Sequence, residues 1–197
     1  MEENYIKIFK KTLREEEFEK LKKIKSKKVL NFIGESILLC EPDDVFICSD
    51  TPDEIAHIKN MAIVSKEESA ALLTPGHTFH FDGYYDQGRD REVTKFLVPE
   101  GDKLSSALNQ IEREKGLNEV KNLLKGSMKG KTMIVRFLIL GPANSVFTIP
   151  CVECTDSWYV AHSVDLLYRH GYKEICKIDE NTDIFFTLHS AGELDES

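Results

Sequence analysis

The sequence contains neither G-x-x-x-x-G-K-[ST] nor G-x-G-x-x-G, so it carries neither of the glycine-rich turns that cradle nucleotide phosphates. No apolar run approaches the ~18–20 residues that a membrane span needs, which excludes a bilayer helix. The opening "MEENYIKIFKKTLREEEFEK" places acids before any apolar stretch and has no small-residue cleavage site, so it is not a secretory signal. Cysteine is sparse and odd in number, with five residues. Without a secretory signal, that points to reduced thiols in a cytoplasmic compartment. Positive charge is in deficit, 26 Lys and Arg against 34 Asp and Glu, for a net charge of −8. That balance argues against a general nucleic-acid binder. No segment repeats at a fixed period.

What is present is enough apolar sequence, 41% of residues, to bury a core without staples. "EEEFEKLKKIK" spaces Phe18, Leu21 and Ile24 as a surface helix, and the basic run from Glu19 to Lys28 reads as a solvated helix end. "VFIC" is a short buried strand. In "SDTPDEIAHIKNMAI" a cap at Ser49, Asp50 or Thr51 precedes Pro52, and Ile55, Ile58 and Ala62 share one face. "HTFHF" and "TKFLV" read as a hairpin or neighbouring strands. "DKLSSALNQIERE" and "LNEVKNLLKG" read as helices, the second ended by Gly126. "KTMIVRFLILG" has the continuous apolar character of a central strand, followed by the strand "SVFTIPCVEC". "TDSWYVAHSVDLLYRHG" reads as one helix, capped by Thr155 or Asp156, lined by Val160, Val164 and Leu167, and ended before Gly171. "DIFFTLHS" closes with a strand. The alternation predicts α/β architecture: a single domain over 1–197 with a mixed sheet flanked by helices. A domain that stops so soon after a strand reads as one piece of a longer protein.

Candidate sites are few. Cys151 and Cys154 have C-x-x-C spacing, but residues three apart on a strand point to opposite faces, so buried inert thiols are expected rather than a metal site. His77 and His80 fail as a strand chelate for the same reason, whereas His80 and Asp82 share a face without further ligands. His162 and Asp165 lie one turn apart, and Asp165 can equally pair with Arg169. His170 is placed to meet helix C-terminal carbonyls. "GSMKGK" reads as a helix-to-strand connection. "FHFDGYYDQGRDR" is different, because it sets Arg89 and Arg91 directly after turn-forming sequence. It is the one local anion-binding candidate.

"GSMKGKTMIV", "LGPANS", "ECTDSWYVAHSVDLLYRHG" and "LHSAG", in that order, resemble successive blocks in the N-terminal part of GTP-dependent phosphoenolpyruvate carboxykinases. They cover Gly126 to Gly192. "HTFHFDGYYDQGRDR" is similar to the archaeal branch, and the first sixty or so residues resemble the family only loosely. The resemblance implies the fold of that N-terminal domain. It also implies a parent enzyme converting oxaloacetate and GTP to phosphoenolpyruvate, GDP and carbon dioxide, with manganese and magnesium, in cytoplasmic gluconeogenesis. The phosphate loop, the metal ligands and a substrate-touching tyrosine–glycine–glycine segment then belong to a C-terminal nucleotide-binding domain beyond residue 197.

For this chain the resemblance implies one substrate-binding residue and no catalytic or metal-binding ones. A substrate arginine in the family stands five before a threonine that leads into a strand, as Arg89 stands before Thr94 and "KFLV". Glu92 departs from the serine of that pattern. A competing alignment sets "AHI" (Ala56 to Ile58) there and puts His57 in the arginine's place, and Arg91 is the fallback. Arg89 is preferred because a guanidinium stays charged and grips a carboxylate bidentately. The expected partners are oxaloacetate or phosphoenolpyruvate and the missing domain. The 197-residue chain alone is expected to be inactive, with no GTP or metal bound. The rival expectation is a non-enzymatic carboxylate-binding or interaction module.

Overall fold

The computed structural model of the chain describes residues 3–81 and 94–192. In chain order the elements are α1 (Glu3–Thr12), α2 (Glu15–Leu21), α3 (Lys27–Cys40), β1 (Asp44–Ile47), α4 (Pro52–Val64), β2 (Ser69–Ala70), β3 (Thr78–Phe79), β4 (Phe96–Val98) and β5 (Gln110–Glu112). They continue with α5 (Arg113–Leu124), β6 (Thr132–Leu140), β7 (Ile149–Thr155), α6 (Trp158–Ser163), a 3₁₀ turn (Val164–Leu166), β8 (Arg169–His170), α7 (Tyr172–Ile175) and β9 (Phe185–His189). Two compact units result, one from 1–80 with 126–197 and a smaller one from 81–125.

The larger unit is built on a five-stranded mixed sheet in the order β1-β6-β7-β9. β6 runs parallel to β1 and antiparallel to β7, β7 runs parallel to β9, and β8 pairs with the second half of β6 beyond the end of β1. The uninterrupted apolar run of β6 fits its central place, with Met133 to Ile139 all buried. The sheet covers two cores. On one face Phe46, Cys48 and Ile134 meet Ile58 of α4 and Ala161 of α6. On the other, Phe32 of α3 packs on Phe186 of β9, and Tyr172 of α7 packs on Phe137 of β6. A mixed sheet flanked by helices is therefore what the α/β pattern produces. No helix among the described residues is long and apolar enough to cross a membrane.

Start chemistry works where it was legible. Thr51 caps α4 by accepting from Glu54 N–H, with Pro52 at the first turn. Gly126 follows α5 with φ +69°, the left-handed conformation that ends helices. α2 ends at Leu21, with Ile24 buried just beyond it, and Lys22, Lys23, Lys25, Lys27 and Lys28 are exposed as a solvated run should be.

Four expectations are corrected. β3 pairs with β2, and β4 pairs in parallel with β5, so "HTFHF" and "TKFLV" do not pair with each other. "DKLSSALNQIERE" forms no helix up to Asn109. Its Leu104 and Leu108 stay more than two-fifths exposed, and its end becomes β5 and the N-cap Glu112 of α5. The helix of "TDSWYVAHSVDLLYRHG" is only six residues long, because the chain turns after Leu166 to add β8 to the sheet. Gly171 makes that return possible: its N–H donates to Phe137 O at 2.8 Å, and a Cβ there would lie 2.7 Å from the Leu138 carbonyl carbon. His170 accordingly lies in β8, not in a helical turn.

Candidate functional site

The start of α6 concentrates the polar chemistry of the larger unit. Ser157, not Thr155 or Asp156, caps the helix, accepting from Val160 N–H at 3.1 Å. Glu67, from the segment after α4, accepts from Ser157 Oγ and from Tyr159 N–H, adding negative charge where the helix dipole favours it. Thr155 Oγ1 lies 2.9 Å from His189 Nδ1 on β9, and burial holds that imidazole below its ordinary range. Trp158 packs its ring against Phe46 and His57.

Asp156 is a buried clamp. Burial alone raises a carboxyl, but here Ser190 Oγ and Ala191 N–H donate to it at 2.7 Å each and Lys131 Nζ at 3.0 Å, holding it below the usual carboxylate range. Lys131 also donates to Gly192 O at 3.0 Å. Three segments far apart in sequence are thereby joined at one carboxylate.

A second buried cluster lies on the same sheet face. Arg136 is fully buried, donating to Ala161 O and, at 2.5 Å, to Asp165 Oδ1. Asp165 also accepts from His170 Nε2, whereas Arg169 donates to Gly141 O, so the Asp165–Arg169 pair does not form. Glu153 stands opposite Arg136 in the β6–β7 register and is 7% exposed. Burial pushes its carboxyl up to about 7, against the pull of Arg136. An unfolded glutamate releases its proton near 4.5, so between that pH and 7 only the folded state keeps it, and stability falls as pH rises. Relative to Glu153→Gln, the native chain should lose on the order of 2 kcal/mol between pH 5 and pH 7. Urea unfolding at both values checks this, and parallel pH profiles refute it.

Between α4, the β2–β3 segment and α6 lies a cavity of about 430 Å³. His77, His80 and His162 line it with Lys59, Glu68 and Tyr159. His80 stacks on Tyr159 at 3.8 Å between centroids, and His162 Nδ1 lies 2.7 Å from Glu68 Oε1. The structure thus brings His77 and His80 to one wall despite their three-residue spacing, because only 78–79 is strand.

Arg89, Arg91 and Asp82 lie outside the described residues. His57, the alternative to Arg89, is an exposed residue of α4 whose ring packs near Phe46 and Trp158. Cys151 packs against Leu138 and Val164, and Cys154 lies on the opposite face. Burial pushes both thiols up, Cys151 to about 11, in keeping with inert side chains. Among the described residues no group of three or more His, Cys, Asp or Glu is placed to hold a metal. Sequence reasoning missed Lys131, Glu67, Glu68 and Arg136. Only the last had a signal, a lone cation inside the apolar run "TMIVRFLIL".

Comparison with known proteins places this arrangement in a wider set. The family model described as "Phosphoenolpyruvate carboxykinase N-terminal domain" matches residues 31–197. "Phosphoenolpyruvate carboxykinase [GTP]" of Thermococcus kodakarensis is 46% identical over 193 residues, covering 98% of this chain and 31% of that protein. The protein of the same name from Pyrococcus horikoshii is 45% identical over 184 residues, 93% of this chain and 29% of its own length. That from Saccharolobus solfataricus is 42% identical over 176 residues, 89% of this chain and 28% of its own length. The chain thus spans roughly 30% of the length of these relatives.

Proposed function

The chain belongs to the phosphoenolpyruvate carboxykinase N-terminal domain family, and from that premise we propose that it is the substrate-side part of a GTP-dependent phosphoenolpyruvate carboxykinase. The longer protein converts oxaloacetate and GTP to phosphoenolpyruvate, GDP and carbon dioxide in cytoplasmic gluconeogenesis. The observation that carries this reading is the match across nearly the whole chain to relatives bearing that name. Arg89 is the residue of this chain that contacts substrate. Oxaloacetate is a dianion, and its decarboxylation leaves an enolate that attacks the γ-phosphoryl group of GTP. A fixed guanidinium orients the acid by two parallel N–H bonds and offsets local negative charge in a protein whose net field repels both substrates.

Among the described residues no group of three or more His, Cys, Asp or Glu is placed to hold a metal, and the sequence has no phosphate loop. We assign GTP, manganese and magnesium to the part of the relatives' length that this chain does not span. The purified 197-residue chain should show no GTP-dependent turnover of oxaloacetate. A reading frame extended into a strand, a G-x-x-x-x-G-K-[ST] loop and a helix should show it. Turnover by the short chain, or none by the extended one, overturns the proposal.

A further inference from the structure

Three of the chain's six histidines share the cavity wall between α4 and α6 with Lys59. In a chain of net charge −8 this is a local concentration of cationic and titratable groups. The two acids of the wall already have cationic or imidazole neighbours. Asp165 is held by Arg136, and Glu68 Oε1 faces His162 Nδ1. Lys59 is different: its Nζ donates to Gly76 O and has no carboxylate partner among the described residues. An ammonium carries three donors, so one backbone carbonyl leaves two of them to water or to an anion.

A second, independent observation comes from the opposite sign. Glu68 is only 5% exposed, and its Oε2 has no hydrogen-bond partner. A buried carboxylate oxygen without a donor is costly, and native structures resolve such atoms with a partner. The wall therefore carries an ammonium with spare donors and, in the buried Glu68, an acceptor without a donor, with the carbon surface of Tyr159 and Leu166 beside them. A volume of about 430 Å³ suits a small molecule.

We propose that this cavity is a binding site for a small carboxylic acid that also carries an O–H or N–H donor. Lys59 takes the carboxylate, Glu68 Oε2 accepts the donor, and His162, held by Glu68 through Nδ1, presents Nε2 alongside. The site uses residues other than Arg89 and stands whether or not Arg89 binds substrate.

Isothermal titration calorimetry on the whole chain tests it with four probes: L-malate, L-alanine, succinate and inorganic phosphate. L-malate supplies a carboxylate with a hydroxyl, and L-alanine a carboxylate with an ammonium. At least one of these two should bind roughly tenfold more tightly than succinate or phosphate, and which one does distinguishes a hydroxy acid from an amino acid. Lys59→Met should weaken the preferred acid roughly tenfold or more, and Glu68→Gln should lower it to the level of succinate. Binding of succinate or phosphate as tight as the better-bound of the two donor-bearing acids, or no binding of any probe at millimolar concentration, overturns the site. So does unchanged affinity in Lys59→Met. If Glu68→Gln fails to fold by circular dichroism, NMR of the native chain decides instead. The preferred acid should shift the Tyr159 and His162 resonances, and their constancy overturns the site.

Discussion

Asp165→Ala should unfold the larger unit at a markedly lower temperature than the native chain. Arg136 has no exposed surface, and its charge is matched by Asp165 at 2.5 Å. Removing the acid leaves a buried guanidinium whose remaining hydrogen-bond acceptor is the carbonyl of Ala161, beside a Glu153 carboxyl that burial pushes up to about 7. Breaking one partner of a buried pair costs about 3–5 kcal/mol, because the remaining charge cannot return to water without opening the structure. For a unit of this size that corresponds to a Tm lower by roughly 6–20 °C. The companion variant separates a lost bond from a stranded charge. Arg136→Met added to Asp165→Ala removes the charge that the single change strands, so the double variant should regain most of the loss. A single variant within about 1 kcal/mol of native, in the range of ordinary surface changes, would show that Arg136 is solvated by other means. So would a double variant no more stable than the single one.

That pair also shows where the sequence stops being informative. Asp165 and Arg169 have the spacing of a helical ion pair, and Val160, Val164 and Leu167 have the spacing of a helical face. Both patterns are local. The competing partner, Arg136, is 29 residues away on β6, and it draws Asp165 under the sheet. Leu167 is then 78% exposed, and the backbone turns to form β8 over Gly171. By contrast β1, β6, β7 and β9 were legible, because apolar, β-branched and aromatic runs already state that both faces are covered. The start of α4 was legible because a cap and a proline act within one turn. β5 was not, since "QIE" is short and its partner β4 lies beyond a loop.

Three of the four blocks that carry the family resemblance meet at one cluster. "MKGKTM" supplies Lys131, "TDSWYVAHS" supplies Asp156 and "LHSAG" supplies Ser190, Ala191 and Gly192. None of these has a role readable from its own block. Lys131 in "GSMKGK" reads as a connection residue, and Asp156 as a helix cap. Their function emerges from the antiparallel β6–β7 and parallel β7–β9 pairings, which bring the start of β6 and the ends of β7 and β9 to one end of the sheet. The strand pairings thus bring three of the blocks into contact at one buried carboxylate.

Arg89 requires a kinetic test, since it lies outside the described residues. In the longer protein, Arg89→Ala should lower kcat/KM for oxaloacetate by the equivalent of about 2–4 kcal/mol, on the order of 30- to 1000-fold. The size follows from the interaction proposed: a desolvated, bidentate guanidinium–carboxylate pair loses both hydrogen bonds and leaves a substrate charge unmatched. Three comparisons make the assignment specific. Arg89→Lys keeps the charge but not the planar fork, so it should recover only part of the loss. Arg91→Ala, the neighbouring control, should stay within about threefold of native, since a solvated charge contributes under about 1 kcal/mol. KM for GTP should hardly move in either variant, because the partner proposed for the arginine is the dicarboxylate and not the phosphates. Steady-state kinetics with oxaloacetate varied at saturating GTP, and then the reverse, reads all of these. Native kinetics in Arg89→Ala would remove the residue from the substrate site. A loss that appeared instead in Arg91→Ala or His57→Ala would move the carboxylate contact to that position, and the same fork geometry would then favour Arg91 over an imidazole already packed near Trp158.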